Sequence, residues 1–130
     1  MKIKILFLGL AAATLVLTNG CVLFLVGGAA AAGAGTVLYV DGQLKDTESA
    51  SLAVVHAATL AGLRDLQIAV INDRSDAISS QVLARTATDR KIEILLAKQS
   101  PSGTEIRIRV GTFGDEQLSR LVLEKIKAHL

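Results

Sequence analysis

The stretch "KIEILLAKQSPSGTEIRIRV", residues 91–110, decides the fold. Its last six residues alternate strictly, Ile106, Ile108 and Val110 against Glu105, Arg107 and Arg109. Successive side chains of a strand point to opposite faces, so one face here is apolar and the other wet. The opening "KIEILLAK" (91–98) repeats the pattern with Ile92, Ile94 and Leu96 inward, and Gln99 to Gly103 turn the chain around its only proline. Two neighbouring strands of this kind predict an antiparallel sheet covered on one side.

The flanking segments extend that sheet. "AISSQVLART" (77–86) places Ile78, Ser80, Val82 and Ala84 on one face. "LQIAVI" (66–71) is a short apolar strand closed by the turn-rich Asn72-Asp73-Arg74-Ser75-Asp76. Further upstream, "TVLYVDGQLKDT" (36–47) reads as a first strand to which Val37, Tyr39 and Leu44 contribute apolar positions. Between these strands Ser49 or Ser51 caps a helix running to about Leu63, with the stripe Leu52, Val55, Thr59 and Leu63. The last helix begins within "GTFGDEQLSR", where Asp115 and Glu116 suit its positive end. Its predicted buried stripe is Leu118, Leu121, Val122 and Ile126. Phe113, the one bulky loop residue, is expected to plug the junction of sheet and helix, the alternative being a contact hot spot. The predicted order is β-α-β-β-β-β-α, an α+β fold with two helices packed on an antiparallel sheet in a helix-grip-like arrangement.

Residues 1–35 have a different composition. The chain is 51% hydrophobic, and before Val40 its only charges are Lys2 and Lys4. Without those two lysines the remaining charges balance, so the net +2 describes the leader and not the domain. A nucleic-acid surface calls for a basic face and stacking aromatics. With 3% aromatic residues and a neutral domain, no nucleic-acid partner is expected.

Lys2 and Lys4, the apolar run Ile5–Leu17 and the small or polar Thr18-Asn19-Gly20 form the three parts of a secretory signal. They end at Cys21, the only cysteine, so no intramolecular disulfide can form. The leader resembles a bacterial lipoprotein signal. In that class the cysteine thiolate takes a diacylglycerol as a thioether, a peptidase cuts just before it, here between Gly20 and Cys21, and the freed amine is acylated. The simpler alternative is an uncleaved membrane anchor containing a buried thiol. Val22, in place of the Asp that retains many such proteins at the inner membrane, leans towards the outer membrane.

"VLFLVGGAAAAGAGTVLYV" (22–40) approaches the roughly 20 residues of a membrane span. Gly27, Ala31 and Gly35 recur every four residues, giving a small-residue face through which helices associate in membranes. A full second crossing would return the domain to the side of Lys2 and Lys4. The expectation is therefore an apolar tether at the membrane, with homo-oligomerisation through the glycines left open. The chain divides into a signal peptide (1–20), a lipidated Cys with its Gly/Ala tether (21–35) and a small periplasmic α+β domain (36–130).

These features together, with "YVDGQL" and above all "VGTFGDEQLS" (Val110 to Ser119), resemble the small bacterial lipoproteins of Domain of Unknown Function 3568. The resemblance covers nearly the whole chain. It implies a cell-envelope lipoprotein and supplies no catalytic residue. The element order is also similar to the helix-grip domains of an outer-membrane assembly lipoprotein, a likeness of fold alone.

No catalytic constellation is read from the residues. His56 and His129 lack neighbours at metal-ligand spacing, so neither a metal nor a cofactor is expected. Arg85, Arg107 and Arg109 form a candidate interaction patch on the exposed sheet face, either solvated and paired with Glu93 and Glu105 or open to an anionic partner. The expected function is a non-catalytic, lipid-anchored interaction module with an envelope protein as partner. The competing expectation is a carrier that encloses an apolar ligand between helices and sheet.

Overall fold

The computed structural model describes residues 37–130. Strands β1 (Leu38–Val40) and β2 (Gln43–Glu48) precede helix α1 (Leu52–Asp65). Strands β3 (Ala69–Ser75), β4 (Ser79–Arg85), β5 (Lys91–Ser100) and β6 (Gly103–Val110) follow, and helix α2 (Glu116–Lys127) closes the domain. The strands form one antiparallel sheet in the order β1-β2-β6-β5-β4-β3. The α+β class and the two helices on one sheet face stand as predicted.

The alternating stretch sits at the centre. Register aligns Ile94 with both Ile108 and Val82, Ile92 with Val110 and Ala84, and Leu44 with Ile108. All of these are buried, together with Leu96 and Ile106. Leu52, Val55, Ala58 and Leu63 of α1 and Val122, Leu123 and Ile126 of α2 complete the core. Each large aliphatic side chain removed from water contributes about 2 kcal/mol. Both helices start at the predicted caps: the Ser51 hydroxyl accepts from the Val54 amide and the Asp115 carboxylate accepts from the Leu118 amide.

Four local readings change. The expected single first strand is a hairpin, because Asp41 and Gly42 both take positive φ (53° and 74°), which makes the two-residue turn that suits the sheet twist. The third strand starts later and runs through Asn72–Ser75; polar residues are tolerated there because β3 is an edge, and the register shifts between Val70 and Asn72. Ile78 is exposed in the turn, since the Asp76 carboxylate accepts from the Ile78 and Ser79 amides and starts β4 only at Ser79. On α2, Leu121 is 40% exposed and Leu123 takes its place in the core.

Helices α1 and α2 meet almost backbone to backbone in their last turns. A Cβ added to Gly62 would lie 2.9 Å from the Ile126 amide nitrogen and 3.0 Å from the Lys125 carbonyl carbon. Gly62→Ala is therefore expected to destabilise the domain by about 2 kcal/mol, the cost of forcing packed elements apart. Urea unfolding followed by circular dichroism reads this directly, and unchanged stability would mean that the helices do not pack this closely.

Candidate functional site

The helices cover one sheet face, so the opposite face is where the strand polar residues gather. Register sets them in rows. Lys45 lies opposite Arg107, which neighbours Leu95, then Gln81, then Arg74. The adjoining row runs Gln43, Arg109, Glu93, Leu83 and Asn72. Arg107 and Arg109 thus share this face as predicted. Arg85 stands two strands away, beside Lys91, and its guanidinium is held at 2.7 Å by Asp89. The three arginines therefore do not form one cluster.

The expected acidic partners divide. Glu105 pairs with Arg107 along the same strand. Glu93 instead accepts a hydrogen bond from the Gln81 amide at 2.9 Å. Arg109 donates to the Asp41 carbonyl at 3.1 Å. Half-buried Leu83, Leu95 and Ala97 give the middle of the face an apolar strip. Next to it an open depression of about 400 Å³ is lined by Ser79, Gln81, Leu95, Ala97 and Arg107. At the sheet end formed by the β4–β5 turn and the β6–α2 loop, a second open depression of about 410 Å³ is lined by Asp89, Arg90, Lys91, Glu93, Arg109 and Thr112.

Phe113 does not plug the sheet–helix junction. It is 93% exposed, in the loop at this same end. Nearby, Asp115 holds Arg90 at 2.8 Å. The Leu118 amide and then Arg90 keep the Asp115 carboxyl below its ordinary value, so its stabilising effect is present above pH 3.8 and lost as pH falls through the depressed value.

Charge also enters the helix side of the sheet. Asp46, inward on β2 two residues beyond the buried Leu44, is 3% exposed and accepts from the Thr47 amide. The compensation of its other oxygen is the Lys127 ammonium at 2.7 Å, which also reaches Glu48 at 2.9 Å. Burial pulls the Lys127 ammonium down, but the two carboxylates outweigh it and its pKa is raised. Sequence reading missed this group; the available signal was a carboxylate at an inward strand position. The histidines serve as cross-links: His56 bonds Asp73 at 2.7 Å, tying α1 to β3, and His129 bonds Asp65 at 2.6 Å, tying the two helix ends. Among the described residues no group of three His, Cys, Asp or Glu side chains converges as metal ligands, and no helix is long and apolar enough to cross a membrane. Gly20, Cys21, Gly27, Ala31 and Gly35 lie outside the described residues.

Residues 4–129 match the family described as Protein of unknown function (DUF3568), and the chain belongs to that family. No curated protein matches it.

Lys127→Met leaves the Asp46 carboxylate buried without its cation. Because the ammonium is half-exposed, the expected loss is about 2 kcal/mol, well above the roughly 0.3 kcal/mol expected for Arg120→Met at the surface pair with Glu116. Adding Asp46→Asn to Lys127→Met should restore part of the loss. A raised cation stabilises below its ordinary pKa of 10.5, and the effect fades as pH rises through the folded value. Denaturation from pH 7 upward should therefore show the original chain and Lys127→Met converging only in strong alkali; equal stability at pH 7 would contradict this pairing.

Proposed function

We propose that this family member is a lipid-anchored lipoprotein of the bacterial cell envelope, whose residues 36–130 work as a non-catalytic interaction module facing the periplasm. The observation that carries the reading is the single cysteine. Cys21 stands directly after Gly20, behind Lys2, Lys4 and the apolar Ile5–Leu17, where a lipoprotein signal places its acylated residue. Two or three acyl chains, at about 0.8 kcal/mol per buried methylene, hold such a protein stably at a bilayer. Val22 favours the outer membrane as the destination.

The module reading is supported by where the domain puts its chemistry. Seventeen aliphatic or Ala side chains fill the space between helices and sheet. The depressions described above open on the surface instead, beside Arg107 and Arg109. A filled interior favours outward contacts over carriage of an apolar ligand. The sheet face, with Lys45 opposite Arg107 and an apolar strip beside them, suits an envelope protein with an anionic surface bearing a few apolar side chains.

The anchor is tested by intact mass and N-terminal peptide analysis of the membrane-fraction protein beside Cys21→Ser. The expected mature chain starts at an acylated Cys21, and the variant loses both the acyl mass and the cleavage. An unmodified chain retaining Met1–Gly20 would refute the anchor.

A further inference from the structure

Phe113 is the most exposed large apolar side chain among the described residues, and its loop is built to keep it there. Gly111, Gly114 and Gly42 all take positive φ (67°, 85° and 74°). A Cβ on Gly42 would stand 2.5 Å from the Phe113 carbonyl oxygen, and one on Gly114 would fall on Gly42 and the Tyr39 hydroxyl. The loop is thus braced, backbone against backbone, on the β1–β2 turn. Two further exposed aliphatics, Leu38 and Val40, lie on the strand leading into that turn, on the sheet side away from the helices.

Charges of both signs lie around this apolar group, among them the exposed Asp41 in the turn itself. Arg109 reaches the Asp41 carbonyl in the same turn, and Lys91 lines the adjoining depression with Thr112, the neighbour of Phe113. Asp89 and Asp115 are paired with Arg85 and Arg90, whereas Glu93 accepts only from the neutral Gln81 amide and keeps its charge, as does Asp41 in the turn. Arg109 and Lys91 have no carboxylate partner among the described residues. The chain also enters the domain here. Thirty-six residues, charged only at Lys2 and Lys4, precede Val37, which stands five residues before Gly42 and so within about 17 Å of it even fully extended.

We infer that this end of the domain docks on the anionic bilayer to which the N-terminal segment holds it. Phe113, Leu38 and Val40 enter the boundary between headgroups and acyl chains, where an aromatic ring gains most, while Arg109 and Lys91 meet lipid phosphates. The free sheet face is then turned edge-on to the membrane and open to a partner. The inference rests on the membrane-attached reading above, in that the attachment supplies the local concentration; the docking itself depends on these five side chains.

The chain has no tryptophan, so Phe113→Trp in the full chain is a single reporter. The protein is reconstituted in vesicles of phosphatidylcholine, alone or mixed with phosphatidylglycerol, and quenched with acyl-brominated lipid. The indole introduced at position 113 should be blue-shifted and quenched, more strongly with phosphatidylglycerol. Ile78→Trp, at the opposite end of the sheet, should stay solvent-like and unquenched. Within the Phe113→Trp chain, Arg109→Gln and Lys91→Gln should each lower the docked-to-free ratio on anionic vesicles about fivefold, the effect of one cation near such a surface. A solvent-like, unquenched indole at position 113, or equal quenching at positions 113 and 78, would overturn the docking; equal quenching in both vesicle types would overturn the preference for an anionic bilayer. An acylated protein whose position-113 indole is unquenched leaves the anchor standing and removes the docking. Quenching in a protein that proves unacylated does the reverse.

Discussion

The structure depends on the pairing of β5 with β6. Ile92, Ile94 and Leu96 stand against Val110, Ile108 and Ile106, and every one of the six is buried. A one-residue slip of β6 would turn Ile106, Ile108 and Val110 to water and bring Arg107 and Arg109 inward, so the register is fixed by the cost of that exchange. Once it is fixed, β2 and β4 add on either side with Leu44, Val82 and Ala84 in line. Both helices then lie on the same side, because that side offers the larger continuous apolar surface. Gly62 lets them share it by removing the side chain that would hold them apart.

The structural consequence is a division between two faces. The covered face is committed to the core, and the charge that enters it, Asp46, is neutralised by Lys127 and serves to hold the end of α2 against β2. The open face and the sheet end carrying Phe113 present residues able to meet another molecule. A surface of this kind suits contact and positioning. If Cys21 carries the proposed lipid anchor, weak contacts of the domain would be strengthened by the high effective concentration that a tether gives.

Much of this was legible because it is local. Alternation in 105–110 identified the wet and dry faces, three- and four-residue spacing identified α1, and Ser51 and Asp115 were recognisable caps. The resemblance to a lipoprotein signal is equally local, carried by the first 21 residues. What escaped depends on tertiary placement or on turn chemistry. Asp41-Gly42 carried the hairpin signal, yet the apolar residues on both sides read as one strand. The exposure of Ile78 follows from an Asp76 turn, and that of Leu121 from the angle at which α2 lies on the sheet, which periodicity alone leaves open by a residue. The size and apolarity of Phe113 argue for burial, yet its loop packs through Gly114 on Gly42 of the β1–β2 turn and leaves the ring outside. The separation of Arg85 from Arg107 and Arg109 required the strand order β6-β5-β4, which no single segment encodes.

A domain proposed to act through its outside, with its own side chains filling its interior, should carry nothing inside. Native mass spectrometry of residues 36–130 produced in the periplasm puts this to the test. The expected mass is that of the polypeptide alone, with no bound lipid or apolar metabolite surviving gentle ionisation. A stoichiometric adduct of lipid mass, retained by the folded domain and lost on unfolding, would contradict the proposal and make the protein a carrier.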